Sequence, residues 1–189
     1  MNHILEGERV TLRVFDPERD HTYYHAWMKD NHFMRLLDSD PIVFWPKKMM
    51  KEWFEKRMDD SIAMVIYQKG DETKPVGFIE LDGINRVSGD SWVAIGIGDR
   101  DDWGKGYGTD AMRLMLRYAF CQLNLHRVSL SVFDYNPRAI RSYEKAGFVR
   151  EGVSPQYVER EGKRYDLVYM GILRSEWMDQ CPEGPVTDQ

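Results

Sequence analysis

Cysteine is scarce in this 189-residue chain: Cys121 and Cys181 are the only two. They stand too far apart for a thiolate metal pair, and both read as reduced thiols of a cytoplasmic protein. No apolar run approaches the ~20 residues that a membrane-spanning helix requires. The opening stretch from Met1 to Arg9 has no apolar segment of the kind a secretory signal needs. Positive charge is not in excess either. Lys and Arg number 26 against 31 Asp and Glu, a net charge of −5, so long-range attraction to phosphate backbones or anionic lipid is missing. Nucleic acid and membrane surfaces are therefore poor partners, and only a local basic spot could hold a small anion. The chain also lacks internal repeats and low-complexity segments. What is present is an ordinary globular balance, 42% hydrophobic and 30% charged. The expectation is a single domain over residues 1–189, with a core of about 8–174 and a C-terminal tail from 175 to 189.

Periodicity gives the order of elements. Glu8–Val14 alternates polar with apolar residues, as a half-buried strand does. Asp16-Pro17 then opens a helix through Tyr24, Trp27 and Met28, and a second helix is expected from Lys47 to Met58. Ala63–Gln68, Pro75–Leu81 and Ser91–Ile97 read as strands separated by turn formers such as Lys69-Gly70-Asp71. A long apolar helix follows from about Gly108 to Leu123, then a strand at His126–Phe133 and a helix at Asn136–Ala146, with Gly147 suited to its left-handed C-terminal cap. Phe148–Val153 and Arg164–Leu173 close the series. This order predicts an α/β domain, one mixed sheet of about seven strands with about four helices on its faces.

The chemistry concentrates where Ile95-Gly96-Ile97 runs into Trp103-Gly104-Lys105-Gly106-Tyr107-Gly108-Thr109 and a helix begins at once. Glycine permits positive φ and close backbone approach. A helix start adds unpaired N–H groups and the positive end of the helix dipole, which together suit a phosphate or pyrophosphate. The turn is not a nucleoside-triphosphate loop: Gly98 and Gly104 are one residue too far apart, Gly106 follows Lys105, and the Ser/Thr for magnesium is missing. The Gly104-Lys105-Gly106-Tyr107-Gly108 spacing also fails the dinucleotide fingerprint. Taken alone, the glycines serve tight packing as readily as a ligand.

A second segment decides between these readings. Asn136-Pro137-Arg138-Ala139-Ile140-Arg141-Ser142-Tyr143-Glu144-Lys145-Ala146-Gly147-Phe148, together with the Gly-rich turn, resembles the GCN5-related N-acetyltransferase superfamily. It is nearest to the branch that acetylates ribosomal-protein N-termini. The family's Gln/Arg-x-x-Gly-x-Gly/Ala element falls on Trp103 to Gly108, with Trp103 in place of the usual first residue. Its Asn-x-x-Ala/Ser-x-x-x-Tyr-x-x-x-Gly-Phe element falls on Asn136, Ala139, Tyr143, Gly147 and Phe148. The resemblance implies a sheet splayed between the fourth and fifth strands, the fourth carrying a bulge, with acetyl-coenzyme A as cosubstrate and no metal. Backbone groups around Ile95, Gly96 and Ile97 would hold the pantetheine arm, which adds to the sheet much as a peptide strand does. N–H groups from Gly104, Lys105, Gly106, Tyr107, Gly108 and Thr109 would hold the pyrophosphate. Asn136 would bond the arm from the other side.

The implied reaction is direct attack of a neutral amine on the thioester. A lysine-like amine has a pKa of ~10.4, so a base must take its proton, whereas a thiolate with a pKa of ~8.5 needs only a weak acid. The resemblance gives the acid's part to Tyr143. Glu80, on one strand face with Phe78 and Asp82, is a candidate base, although charged residues on a strand more often face solvent. Lys105 and Arg100 read chiefly as solvated surface. His21 and His25 have a zinc-like spacing but no evident third ligand, and Cys121 lies in an apolar helix stripe. Trp27, Met34, Trp45, Met49 and Trp53 read as core, with some free to wall an acceptor pocket. The acceptor is an amine, either a protein N-terminus or a small molecule such as a polyamine. Family habit favours a homodimer. The rival from another class is a module that binds coenzyme A for regulation without catalysis.

Overall fold

The computed structural model describes residues 4–40, 46, 48–49, 52 and 61–180. In chain order the elements are β1 (Val10–Val14), α1 (Pro17–Trp27), α2 (Asn31–Leu37), β2 (Ser61–Gln68), β3 (Asp71–Asn85), β4 (Asp90–Ile97), α3 (Tyr107–Cys121), β5 (Arg127–Phe133), α4 (Pro137–Lys145), β6 (Val149–Arg160), β7 (Lys163–Leu173) and α5 (Arg174–Gln180). The seven strands form one sheet in the order β1-β2-β3-β4-β5-β7-β6. Every neighbouring pair is antiparallel except β4 and β5.

The β4–β5 seam positions the site. The two strands pair only at Asp90↔Arg127, Ser91↔Val128 and Trp92↔Ser129. Beyond Trp92 they part, which is the splay expected between the fourth and fifth strands. The expected bulge in β4 is absent: β3 and β4 keep one register from Asp82↔Trp92 to Gly77↔Ile97, and the shift falls between Asp82 and Asn85, toward the hairpin. The strands therefore part without an extra residue in β4.

The strands sort their side chains by the period of two. Ile79 and Leu81 of β3 face the larger core with α3. Phe78 faces a second cluster built with Tyr24 and Trp27 of α1 and Phe33 and Met34 of α2. Helix α3 buries Ala111, Met112, Leu114, Met115, Leu116, Ala119 and Phe120, a helical-period stripe in which each large side chain contributes roughly 1.5–3 kcal/mol by leaving water. Asp110, also buried, accepts hydrogen bonds from the backbone N–H groups of Arg9 (2.7 Å) and Val10 (3.0 Å). Two backbone donors compensate its desolvation and fix the start of α3 against β1.

The structure differs from the sequence reading in several places. Five helices are seen among the described residues, where about four were expected. Helix α2 is capped by Asp30, whose carboxylate accepts from the N–H groups of His32 and Phe33; seven residues are too few to show a period. Helix α5 lies where a tail was expected and buries Trp177, 7% exposed and 5.5 Å from Phe120 between ring centroids. Strands β3 and β6 run longer than predicted because their hairpins continue into polar sequence. Of the expected helix from Lys47 to Met58, most lies outside the described residues, as do Trp45, Trp53 and Cys181. Met49 is exposed and Cys121 packs partly buried against the larger core.

Trp177→Ala should cost about 3–5 kcal/mol in denaturant unfolding, the range for removing a large aromatic ring from a core. A loss below about 1 kcal/mol would mean that α5 is appended to the core and not part of it.

Candidate functional site

Helix α3 begins at Gly106, whose φ of +86° is left-handed, and no side chain caps the helix. The first turn's N–H groups are thus left to an external acceptor. Tyr107, Gly108 and Thr109 carry them, and all three line a cavity of about 330 Å³. Tyr107 sends its hydroxyl away from the turn, to Gln68 Oε1 (2.9 Å). Thr109 Oγ1 and Ser142 Oγ, 2.7 Å apart, tie α3 to α4, so the two helices wall one cleft.

The same cavity is lined by Ile95, Gly96, Ile97, Trp103, Gly104, Asn136, Ala139 and Tyr143. Nearly every cofactor residue expected from the sequence meets here. Lys105 is the exception: its ammonium pairs with Asp102 at 2.9 Å. Arg100 is likewise committed, in a two-pronged pair with Asp30. Gly96 is needed for a different reason from the turn glycines. A Cβ there would stand 2.6 Å from the Phe78 ring and 2.8 Å from that of Phe33, so any side chain would displace the aromatic wall.

Two expected contacts are altered. The Asn136 side chain, 7% exposed, caps α4 by accepting from the Ala139 N–H at 3.2 Å. Its oxygen is spent on the helix and its amide N–H₂ is the end left for a ligand. The Ile97 carbonyl accepts from Trp103 Nε1 at 2.8 Å, so it is already satisfied.

Tyr143 stands where the cavity meets a second one of about 210 Å³. That cavity fills the gap between the parted strands and is lined by Leu36, Leu37, Asp82, Trp92, Val93, Ala94, Ile95, Ser131, Val132 and Tyr143. Leu36, Leu37, Ile95 and Tyr143 line both. Burial pushes the Tyr143 hydroxyl up to about 12, against a smaller downward pull from the Arg138 charge. The hydroxyl therefore keeps its proton at neutral pH, as a proton donor must. Glu80 is not solvent-facing as charged strand residues usually are: it is 8% exposed, between Ala63 and Ala94 on the neighbouring strands. Asp82, two residues on, reaches the second cavity. Its register partner is Trp92, so the carboxylate and the half-exposed indole share one face at short range.

The roof of both cavities, Leu36 and Leu37 of α2, is moored from a distance. Tyr135 Oη donates to the Arg35 carbonyl (2.5 Å), Arg35 pairs with Glu161 (2.6 Å), and Arg160 Nη2 donates to the carbonyls of Asp38 (3.0 Å) and Ser39 (2.9 Å). Sequence reasoning missed α2, Arg138 and Arg141, of which both arginines line the first cavity. Their i, i+3 spacing on the motif helix was the available signal. Among the described residues no group of three metal-binding side chains occurs, and no helix is long and apolar enough to cross a membrane. His21 bonds the Pro17 carbonyl through Nδ1 (2.7 Å).

Residues 9–149 match the family described as Acetyltransferase (GNAT) domain. An uncharacterized N-acetyltransferase of SPbeta prophage origin in Bacillus subtilis is 28% identical over 173 residues, 90% of this chain and 93% of that protein. The spermidine N(1)-acetyltransferase of Vibrio cholerae is 26% identical over 174 residues, 92% and 98% of the two chains. A crystal structure of the Vibrio spermidine N-acetyltransferase in complex with CoA and spermine superposes with a TM-score of 0.80, at 26% identity, over 89% of this chain and 98% of that one. A putative ribosomal N-acetyltransferase of B. subtilis is 32% identical over 101 residues, 53% of this chain and 55% of that protein.

Gly106→Val should weaken coenzyme A binding at least tenfold in calorimetry. The valine Cβ would sit 3.2 Å from Arg9 Cδ with a left-handed φ, which strains the N–H cradle by roughly 1–2 kcal/mol or more. Wild-type affinity in a folded variant would mean that this turn does not hold the phosphates.

Proposed function

The chain belongs to the GNAT acetyltransferase family and is an acetyl-coenzyme A-dependent N-acetyltransferase; we propose that it acetylates a cationic primary amine by direct transfer, with Tyr143 as the acid. One observation carries this reading: Tyr143, a partly buried side chain whose hydroxyl keeps its proton, stands where the cavity beside the Gly-rich turn meets the one in the strand gap.

The residues fit the cosubstrate on physical grounds. The uncapped start of α3 suits a pyrophosphate. The edge of β4 beyond Trp92 has lost its strand partner and suits an extended amide-bearing arm. The Asn136 amide N–H₂ faces the same cavity. Bound there, the thioester would supply an activated acetyl group. The chain's own residues do the rest. Ile95 and Gly96 orient the arm, Tyr143 holds a proton for the departing sulfur, and Leu36 and Leu37 exclude water from the junction. Among the described residues no cysteine stands ready as a nucleophile, since Cys121 packs against the core and lines neither cavity.

The second cavity favours a cationic acceptor. Its lining is polar and apolar in similar measure, and Asp82 and Trp92 give it a carboxylate beside an aromatic face, the pair of features that attract an ammonium. Glu80 and Asp82 are the candidate groups for taking the amine's proton, directly or through water. The Vibrio relative's spermidine makes a polyamine the first acceptor to try. The partial match to a ribosomal acetyltransferase keeps a protein N-terminus as the second. Self-assembly is also proposed, at least to a homodimer, since a structure of the Vibrio enzyme is described as dodecameric.

Tyr143→Phe keeps the ring and removes the proton. The turnover number should fall about a hundredfold, the lower end for general acids, with little change in coenzyme A Kd. An unchanged turnover number in a step limited by chemistry would remove Tyr143 from the mechanism. Asp82→Asn should raise KM for spermidine more than for a singly charged alkylamine. An equal effect on both would show that Asp82 does not read acceptor charge.

A further inference from the structure

We infer that Arg138 is a phosphate-binding residue of the cosubstrate cleft, held ready by stacking on Trp103. The inference rests on the acetyl-coenzyme A reading and adds a side-chain cation to it.

The charge balance around the Gly-rich turn poses the problem. The chain is net acidic, and Asp99, Asp101 and Asp102 precede the turn, so an approaching polyanion meets repulsion. Helix N–H groups alone supply about half a positive charge. Three cations around the turn are committed elsewhere, Lys105 to Asp102, Arg100 to Asp30 and Lys74 to Asp99, which leaves Arg138, Arg141 and Lys145 of α4 along the cavity. Of these, Arg138 lies over an aromatic ring. Among the described residues no carboxylate pairs with it, yet it lines the same cavity as Gly104, Gly106 and Thr109.

Its position is fixed by another route. The guanidinium carbon lies 3.5 Å from the centroid of the Trp103 ring. The indole is itself pinned by the bond from Nε1 to the Ile97 carbonyl and flanked by His32 at 5.7 Å. A guanidinium stacked flat on a ring keeps its N–H donors directed outward in the plane, free for bidentate contact with a phosphate. Stacking thus holds the cation without neutralising it. Burial works against the Arg138 charge, a penalty that an arriving anion relieves. The stack also spans the cleft, since Arg138 belongs to α4 and Trp103 to the turn before α3. The basic residue beside the glycines in sequence is Lys105, which lies within the turn but is already paired. Arg138 is far away in sequence and reaches the cleft through the fold.

Calorimetric titration of the full chain with coenzyme A, over a series of NaCl concentrations, tests this. At low salt R138Q should weaken binding by about ten- to a hundredfold, the range for losing charged hydrogen bonds. The gap should narrow as salt screens the phosphates. R138K, which keeps the charge but not the fork, should recover part of the loss, and W103F should lose part by unpinning the ring. Thermal unfolding checks that each variant is folded. A loss in R138Q that stays constant with salt, or wild-type affinity, would overturn the assignment while leaving the acetyltransferase reading intact. A wild-type chain that fails to bind coenzyme A at all would overturn both.

Discussion

Everything in the site follows from a parallel ladder that stops after three residue pairs. Buried backbone N–H and C=O groups normally find partners, because leaving them bare costs as much as a lost hydrogen bond. At Val93–Ile97 the sheet gives up its β5 partner in mid-sheet, where side chains of β4 and β5 line the gap instead. A sheet opened in this way invites an extended guest that can restore the ladder. The flanking antiparallel pairs, β3 with β4 and β5 with β7, keep the two halves of the sheet rigid around the opening. The gap is therefore a fixed receptacle between two stiff walls.

The proposed catalytic constellation is economical in charged groups. One neutral hydroxyl sits at the junction of two cavities, and the carboxylates lie on the β3 side of the gap. Burial separates their tasks, since a desolvated phenol resists ionisation while a carboxylate beside an indole attracts cations. The proposed direct transfer would need this geometry more than a strong acid, because a thiolate leaves readily. Proximity of the two bound partners would then be the larger contribution to rate.

The fold and the gathering of the motif residues around one cavity were legible in the sequence for a physical reason. A helix that starts against an anion needs glycines before it, and a short capped helix needs an Asn-Pro start and a glycine stop; such demands leave fixed letters at fixed spacing. Asn136, Tyr143, Gly104 and Gly106 are of this kind. Helix α2, Glu80's burial and the Arg138–Trp103 stack were not legible. A seven-residue helix has no period to detect. The burial of Glu80 depends on which strands flank β3, and the stack joins residues thirty-five apart through tertiary structure alone. The expected β4 bulge failed because it came with the resemblance and had no residue of this chain behind it.

The mooring of α2 to the β6–β7 hairpin has a consequence for how acceptor preference could diversify. Leu36 and Leu37 reach the junction from the N-terminal half of the chain, but Tyr135, Arg160 and Glu161 hold them from the C-terminal half. If the second cavity takes the acceptor as proposed, selectivity is written jointly by two distant stretches. A chimera that transplanted only the residues touching the acceptor would inherit the pocket's surface without its shape. Lineages that changed acceptor would have to revise the hairpin and the short helix together, and the hairpin, largely exposed along β6, is the easier place to begin.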